Sequence, residues 1–263
     1  MGAKVLESKY GSIRSGFLEE AERIVHAAQA ENVHLRVVGA LAFRMHCPRF
    51  AYMHDRLGRA FTDIDFVSYS NQSSKISKLF LILGYEEDFI VSRLYGRGRL
   101  LFHDHENKRH CDVFLDKMEF CHDIIFRDRL ETDEPTVPLA ELLLEKMQIV
   151  KLNEKDVIDT MMLLREHQIG DSDRETINAT RIAGLCARDW GLWKTVTTNL
   201  QRVETAALGR QELSSGDRTD LSSKIKNLLT RIEAEPKTTS WRLRARIGER
   251  RKWYREVEEL SRV

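Results

Sequence analysis

Three aspartates are the residues of this chain whose types and spacing best suit chemistry. Asp63 and Asp65 lie two residues apart in a segment, Thr62 to Ser68, whose alternating apolar residues predict a strand. Residues two apart on a strand point to the same face, with Cβ atoms within about 7 Å, so both carboxylates could coordinate the same or adjacent metal ions. Carboxylate oxygens are ligands that Mg²⁺ prefers. Taken alone, such a pair could equally mark a solvated strand face.

The neighbouring elements must position these carboxylates. The run His34-Leu35-Arg36-Val37-Val38 predicts a strand that ends at Gly39, and Ala40 to His46 predicts a helix that Pro48 stops. A strand, a glycine and a helix start in this order allow backbone N–H groups to approach a phosphate. Downstream, His110 to Leu115 predicts another strand, which carries a third carboxylate, Asp112.

The remaining pattern predicts an α+β protein with a mixed β-sheet and flanking helices, followed by a helical C-terminal domain. We expect a sheet-containing domain at residues 1–137 and a helical domain at 138–263, because helix-like sequence dominates after Pro138. The expected elements of the first domain are a helix at 15–30, a loop at 49–61, a helix at 73–83, and a hairpin formed by strands 89–95 and 99–103 around Gly96-Arg97-Gly98.

Three motifs follow one another along the chain: strand-Gly39-Ala40-helix, then Thr62-Asp63-Ile64-Asp65-Phe66, then Cys111-Asp112-Val113. Motifs in this order resemble those of the nucleotidyltransferase superfamily that includes DNA polymerase beta. The arginine-rich loop before Thr62-Asp63-Ile64-Asp65-Phe66 is especially similar to the branch associated with bacterial abortive infection and toxin–antitoxin systems. Residues 145–152 and 155–159 resemble the helical Lys and Asp segment of that branch. The resemblance covers roughly residues 33 to 165. Ala40 departs from the family, which usually has Gly or Ser there.

The resemblance implies a transferase that moves a nucleoside monophosphate from a nucleoside triphosphate to a hydroxyl and releases pyrophosphate. Two Mg²⁺ ions are expected: Asp63 and Asp65 would bridge the ions and the triphosphate, while Asp112 would ligate the second ion and help to deprotonate the hydroxyl. The nucleotide-binding residues would be Gly39, Ala40, Arg44, Thr62 and Lys151, with Lys146, Arg56 and Arg59 as further candidates for the phosphates.

The same basic side chains have a structural explanation, because a lysine such as Lys151 commonly lies on an exposed helix face and pairs at i,i+4. The acceptor stays open among a protein, an RNA end such as that of tRNA, and a small molecule. An antitoxin or a second copy of the chain is the implied protein partner. One alternative is a nucleotide-binding regulator without turnover on the same fold.

A second alternative is an RNA-binding scaffold. Its binding surface would be the basic, aromatic stretch that runs from Trp241 to Arg255, which could also be an amphipathic helix docked through Trp241, Leu243 and Trp253.

Composition limits the classes of protein to consider. The chain has 263 residues, 42% of them hydrophobic, and a formal net charge of +1, so a nucleic-acid partner would need a local basic patch. No stretch reaches the roughly 20 apolar residues of a membrane span, and no signal peptide is visible at the start, so we expect a cytoplasmic protein with no membrane partner. The four cysteines form no CxxC pair, and the spacing of His103, His105, His110 and Cys111 fits no familiar zinc site.

Overall fold

The computed structural model describes residues 10–94 and 98–257, which form two compact units. The first unit contains the described residues of Met1–His46, Ala60–Met118 and Ile125–Pro138. The second contains those of Cys47–Arg59, Glu119–Ile124 and Leu139–Val263. Two segments that precede residue 138 in the chain therefore belong to the second unit.

A five-stranded mixed sheet forms the centre of the first unit. Its spatial order is β1-β2-β5-β4-β3; β2 and β5 pair in parallel, while the pairs β1–β2, β5–β4 and β4–β3 are antiparallel. The strands are β1 (Arg36–Val38), β2 (Asp63–Ser68), β3 (Glu86–Glu87), β4 (Arg99–Asp104) and β5 (Arg109–Leu115). The helices of this unit are α1 (Phe17–Ala30), α2 (Gly39–His46), α4 (Ser73–Ile82) and α5 (Phe89–Leu94).

One face of the sheet is apolar and fully buried. Ile64 and Phe66 of β2 have no exposed surface, as the predicted alternation requires. Phe80 of α4 stacks on Phe102 of β4 with ring centroids 4.1 Å apart, and it meets Phe66 edge-on at 6.1 Å. This aromatic cluster holds α4 against the sheet, so the aspartates of β2 face the other side.

Two predicted elements differ in the structure. Residues 89–94, expected to be a strand, form helix α5, because the Asp88 carboxylate accepts hydrogen bonds from the backbone N–H groups of Ile90 and Val91 and so caps a helix start. The short strand β3 takes the place beside β4 that the hairpin would have filled. The predicted loop at 49–61 contains a short helix, α3 (Tyr52–Arg56). Most of the predicted turn at Gly96-Arg97-Gly98 lies outside the described residues.

The second unit is mainly helical, as expected for the C-terminal region. Its helices are α3, already given, with α6 (Leu139–Met147), α7 (Glu154–Glu166), α8 (Ala179–Arg188), α9 (Trp190–Gly209), α10 (Ser215–Ala234) and α11 (Thr239–Ile247). Reciprocal side-chain and backbone hydrogen bonds cap α7 at Asn153 and α10 at Ser214, which explains where both helices begin. A small parallel sheet of β8 (Gln168–Gly170) and β9 (Thr176–Asn178) interrupts the helical pattern.

Two more short strands, β6 (Lys117–Glu119) and β7 (Asp123–Ile125), pair with each other. All four cysteines have free, buried thiols. Within the described chain, no helix has both the length and the apolar character needed to cross a bilayer.

Candidate active site

Asp63, Asp65 and Asp112, called here the acidic centre, lie on adjacent strands of the first unit. Strands β2 and β5 pair in parallel, with Asp65 opposite Asp112 and Asp63 opposite His110. Neighbours in register present their side chains to the same face of a sheet, about 5 Å apart. Carboxylates separated by almost fifty residues of sequence therefore converge, and His110 joins them.

Gly39 brings the start of helix α2 against the acidic centre. Its φ of +67° lies in the left-handed region, which a residue without a Cβ adopts at little cost. A Cβ placed on Gly39 would lie 2.4 Å from Oδ2 of Asp65. Only a glycine permits this approach. The glycine of the predicted strand-glycine-helix motif therefore lies directly against Asp65 of the predicted carboxylate pair. Ala40 follows as the second residue of α2 and is half-buried.

Asp112 is held by an arginine. Its side chain is only 2% exposed, and Nε and Nη2 of Arg99 each lie 2.7 Å from its Oδ1 atom. Arg99 comes from strand β4, where it is the register partner of Phe114, and its guanidinium lies 5.4 Å from the centroid of that ring. A buried carboxylate needs such a charged, hydrogen-bonded partner to offset the loss of hydration.

The other oxygens of the acidic centre face polar groups as well. Nε2 of His110 is 3.7 Å from Oδ2 of Asp63 and 3.7 Å from Oδ2 of Asp112, so the imidazole lies between these two residues. The Thr62 hydroxyl donates to Oδ1 of Asp63 at 3.2 Å. Thr62, which is predicted to bind nucleotide, is exposed and contacts the acidic centre through this hydrogen bond.

Arg99 and His110 are not among the site residues predicted from the sequence. His110 could have been found, because it lies two residues before Asp112 and the strand period of two places it on the same face. Arg99 had no such signal, since its position beside Asp112 depends on how β4 and β5 align. Cys111 has no exposed surface, and the strand alternation places its side chain on the opposite face of the sheet from that of His110.

The donor chemistry of the acidic centre suits a hard divalent cation. Asp63 and Asp65 offer carboxylate oxygens at a half-exposed position beside the start of a helix, and such oxygens are the usual ligands of Mg²⁺. Across residues 10–94 and 98–257, no three His, Cys, Asp or Glu side chains are already grouped as a metal site. At Asp112 the Arg99 guanidinium contacts one of the two carboxylate oxygens, Oδ1.

The predicted basic residues are distributed over both units. Arg44 lies in the last turn of α2 and is half-buried. In the second unit, Lys146 and Arg59 both pair with the buried Asp159, at 3.3 and 3.2 Å. The ion pairs favour the structural explanation for these two side chains. Lys151 lies in the loop between α6 and α7 rather than on a helix, and it is exposed.

Lys146 belongs to a buried ionic cluster of α3, α6 and α7. Its Nζ atom is 3.4 Å from Glu145, 3.5 Å from Asp156 and 3.3 Å from Asp159. Burial alone lowers the pKa of Lys146, but Asp159 and the other two carboxylates outweigh that effect and hold the pKa above its ordinary value. Nε2 of His54 adds a contact of 2.9 Å to Asp159.

The basic C-terminal stretch packs its aromatic rings within the second unit. Trp241 meets Trp193 at 5.2 Å and Trp253 meets Trp190 at 6.1 Å, both edge-on. Trp241 and Trp253 are docked as the amphipathic interpretation predicts, whereas Leu243 is 56% exposed and is not. Rings engaged with each other offer less surface for stacking on bases, so the packing favours the structural explanation over the RNA-binding one.

Arg56, another predicted phosphate-binding candidate, is exposed, and its guanidinium lies 4.8 Å from the centroid of the Tyr52 ring.

Comparison with known proteins assigns no family to this chain. No protein-family model matches it, and no curated protein is significantly similar to it.

Proposed function

We propose that this protein is a magnesium-dependent nucleotidyltransferase, which transfers a nucleoside monophosphate from a nucleoside triphosphate to a hydroxyl group. The observation that carries the proposal is the convergence of three aspartates from two adjacent strands, with the glycine start of a helix against one of them. A single acidic pair would not suffice, because such pairs are common on solvated strands. Here the pair, the third carboxylate and the helix start occupy one face of one sheet.

Each residue has a role in this proposal. Asp63 and Asp65 would hold the metal, whose charge neutralises the triphosphate and draws electron density from the phosphorus. The N–H groups at the start of α2, from Gly39 onward, would face the phosphate oxygens. Arg44 and Thr62 are the further nucleotide contacts that the first unit provides. Catalysis then consists mainly of positioning and charge neutralisation.

The transfer step requires no reactant other than the nucleoside triphosphate and the acceptor hydroxyl. The acceptor hydroxyl oxygen bonds to the α-phosphorus, the bond from that phosphorus to the bridging oxygen breaks, and pyrophosphate leaves. The hydroxyl proton goes to the Asp112 carboxylate, whose Oδ2 atom remains after Arg99 has bound Oδ1. The acceptor class stays open among a protein, an RNA end such as that of tRNA, and a small molecule, and a toxin–antitoxin role belongs to the same proposal.

The proposal is tested by label transfer. The protein is incubated with Mg²⁺, a cell extract and each of four α-³²P-labelled nucleoside triphosphates in turn, and labelled products are separated. We expect transfer by the unaltered protein and loss of at least about a hundredfold in the variant Asp63→Asn/Asp65→Asn.

The matched control is Glu86→Gln/Glu87→Gln, which removes two carboxylates from another strand of the same sheet and should retain transfer. Equal labelling by the unaltered protein and by the aspartate variant would refute the proposal. A nucleotide-dependent rise in Tm without release of pyrophosphate would instead select the nucleotide-binding regulator.

A further inference from the structure

Helix α11 of the second unit carries two adjacent rows of exposed side chains. Leu243 and Ile247 form one row and are 56% and 43% exposed. Arg242 and Arg246, which are also four residues apart, form the other row and are exposed. Residues four apart lie on the same side of a helix, and a step of one residue turns the helix by about 100°. An aliphatic row therefore lies directly beside a cationic row.

The cationic row belongs to a strongly basic surface. Residues 239–255 contain seven Arg or Lys residues and one acidic residue, a formal charge of +6 in a chain whose total is +1, which leaves −5 for the rest of the chain. The acidic residue, Glu249, pairs with Lys194 at 2.6 Å. Arg242 and Arg246 form no ion pair with any residue that the structure describes. Their charge is therefore available to an anionic partner.

The first unit contains a groove with a volume of about 900 Å³, lined by residues of α4, β3, β4 and α5. Leu81 and Phe89 line it, and each is 68% exposed. Ile90, the neighbour of Phe89 in the chain, is 72% exposed. Large apolar side chains that are grouped at such exposure are typical of a surface that binds a partner.

The groove also carries an excess of negative charge. Glu86, Glu87 and Glu106 line it with at least partly exposed carboxylates, against one exposed lysine, Lys78. His105 lies 3.0 Å from the Glu86 carboxylate. Glu87 and Glu106 form no ion pair within residues 10–94 and 98–257. The groove thus combines apolar side chains with carboxylates that can accept a cation.

We propose that the two rows of α11 in one copy of this protein bind in the acidic groove of a second copy. In this contact the aliphatic row meets the apolar wall at Leu81 and Phe89, and the arginine row meets Glu87 and Glu106. Burial of the apolar side chains stabilises the contact, while the opposite charges steer the encounter and fix its orientation.

A second copy fits the rows of α11 better than other polyanions do. A nucleic acid offers phosphates but no aliphatic surface along its backbone. Stable attachment to a bilayer needs more apolar area than two partly exposed side chains provide. The groove supplies both carboxylates and apolar side chains. The inference goes beyond the proposed function, because neither surface includes the acidic centre.

The contact joins two different surfaces, so it is head-to-tail and can add one copy after another. Sedimentation equilibrium of the full chain tests it. A nine-residue helix covers a small area, so the association should be weak. In 50 mM salt the weight-average mass should rise from the monomer value of 30.6 kDa by at least about half between about 1 and 300 µM protein. An increase to 500 mM salt should weaken the association at least about tenfold.

Charge reversal on each surface identifies the two partners. Arg242→Glu/Arg246→Glu and Glu87→Arg/Glu106→Arg should each stay monomeric when studied alone, because like charges then face each other. Their equimolar mixture should associate again, because each variant presents a surface complementary to the other. This recovery also shows that both variants are folded.

The matched control is Lys155→Glu/Arg174→Glu, which reverses two other exposed cations of the second unit and should associate as the unaltered protein does. The milder variants Arg242→Gln/Arg246→Gln and Glu87→Gln/Glu106→Gln should each weaken the association at least about tenfold.

Four results would overturn the inference. They are an unaltered protein that stays monomeric at 300 µM in 50 mM salt, an association that the glutamine variants leave undiminished, a mixture of folded charge-reversal variants that stays monomeric, and binding of a monomeric chain through the arginine row to phosphatidylserine vesicles or to poly(U) RNA. Label transfer could still occur in each case, so the proposed function is tested separately.

Discussion

The substitution Gly39→Ala tests how closely helix α2 approaches the acidic centre. The backbone there has a φ of +67°, which costs a residue with a Cβ about 1 kcal/mol. The new Cβ would also lie 2.4 Å from Oδ2 and 3.1 Å from Cβ and Cγ of Asp65, well inside ordinary contact. Overpacking of this kind costs about 1–3 kcal/mol. We therefore expect a total destabilisation of about 2–4 kcal/mol and a loss of the label transfer that tests the proposed function.

The chain contains a matched control for the backbone contribution. Gly58 has nearly the same φ, +68°, but a Cβ there would meet no atom within 4 Å. In urea unfolding, Gly58→Ala should cost only the backbone share of about 1 kcal/mol. Adding Asp65→Ala to Gly39→Ala should recover part of the excess, because it removes Oδ2 and Cγ of Asp65 and leaves only its Cβ near the new methyl group. A loss in Gly39→Ala no larger than that in Gly58→Ala would refute the close approach.

Two predictions concern the second unit. Lys146→Met should destabilise the protein by about 3–5 kcal/mol in denaturant unfolding, because it removes the cation that contacts all three buried carboxylates, while Arg59 remains on Asp159. Lys155→Met, at an exposed position, should be nearly neutral, and similar losses in the two variants would contradict the buried cluster. Burial holds the pKa of His122 below its ordinary value of about 6.5, so its imidazole is neutral in both folded and unfolded chains above that pH. Below that pH the unfolded chain takes up a proton that the folded state resists, so the free energy of unfolding should decrease as the pH is lowered. His122→Gln should flatten the dependence of Tm on pH between about 5 and 7, and an unchanged slope would rule out this contribution.

Local rules account for the parts of the fold and site that the sequence predicted. The alternation along Asp63–Ser68 separates carboxylates from buried Ile64 and Phe66, because a strand has a side-chain period of two. Short runs of residue types also predicted the strand at 110–115 and the helix after Gly39, which are observed at Arg109–Leu115 and Gly39–His46. Residues 89–94 were assigned wrongly because their apolar run fits a strand, while the Asp88 cap that starts a helix there was overlooked.

Contacts between distant segments could be decided only by the tertiary structure. The sequence by itself determined which carboxylates share a strand face and that a glycine precedes the helix. Strand order and register decided that Asp112 lies beside Asp65 and that Arg99 pairs with Asp112. The burial of Asp159 explains why Lys146 and Arg59 form ion pairs with its carboxylate. The physical reason is that a side chain's partner depends on which backbones align, and that alignment minimises the energy of the whole core rather than of any local segment.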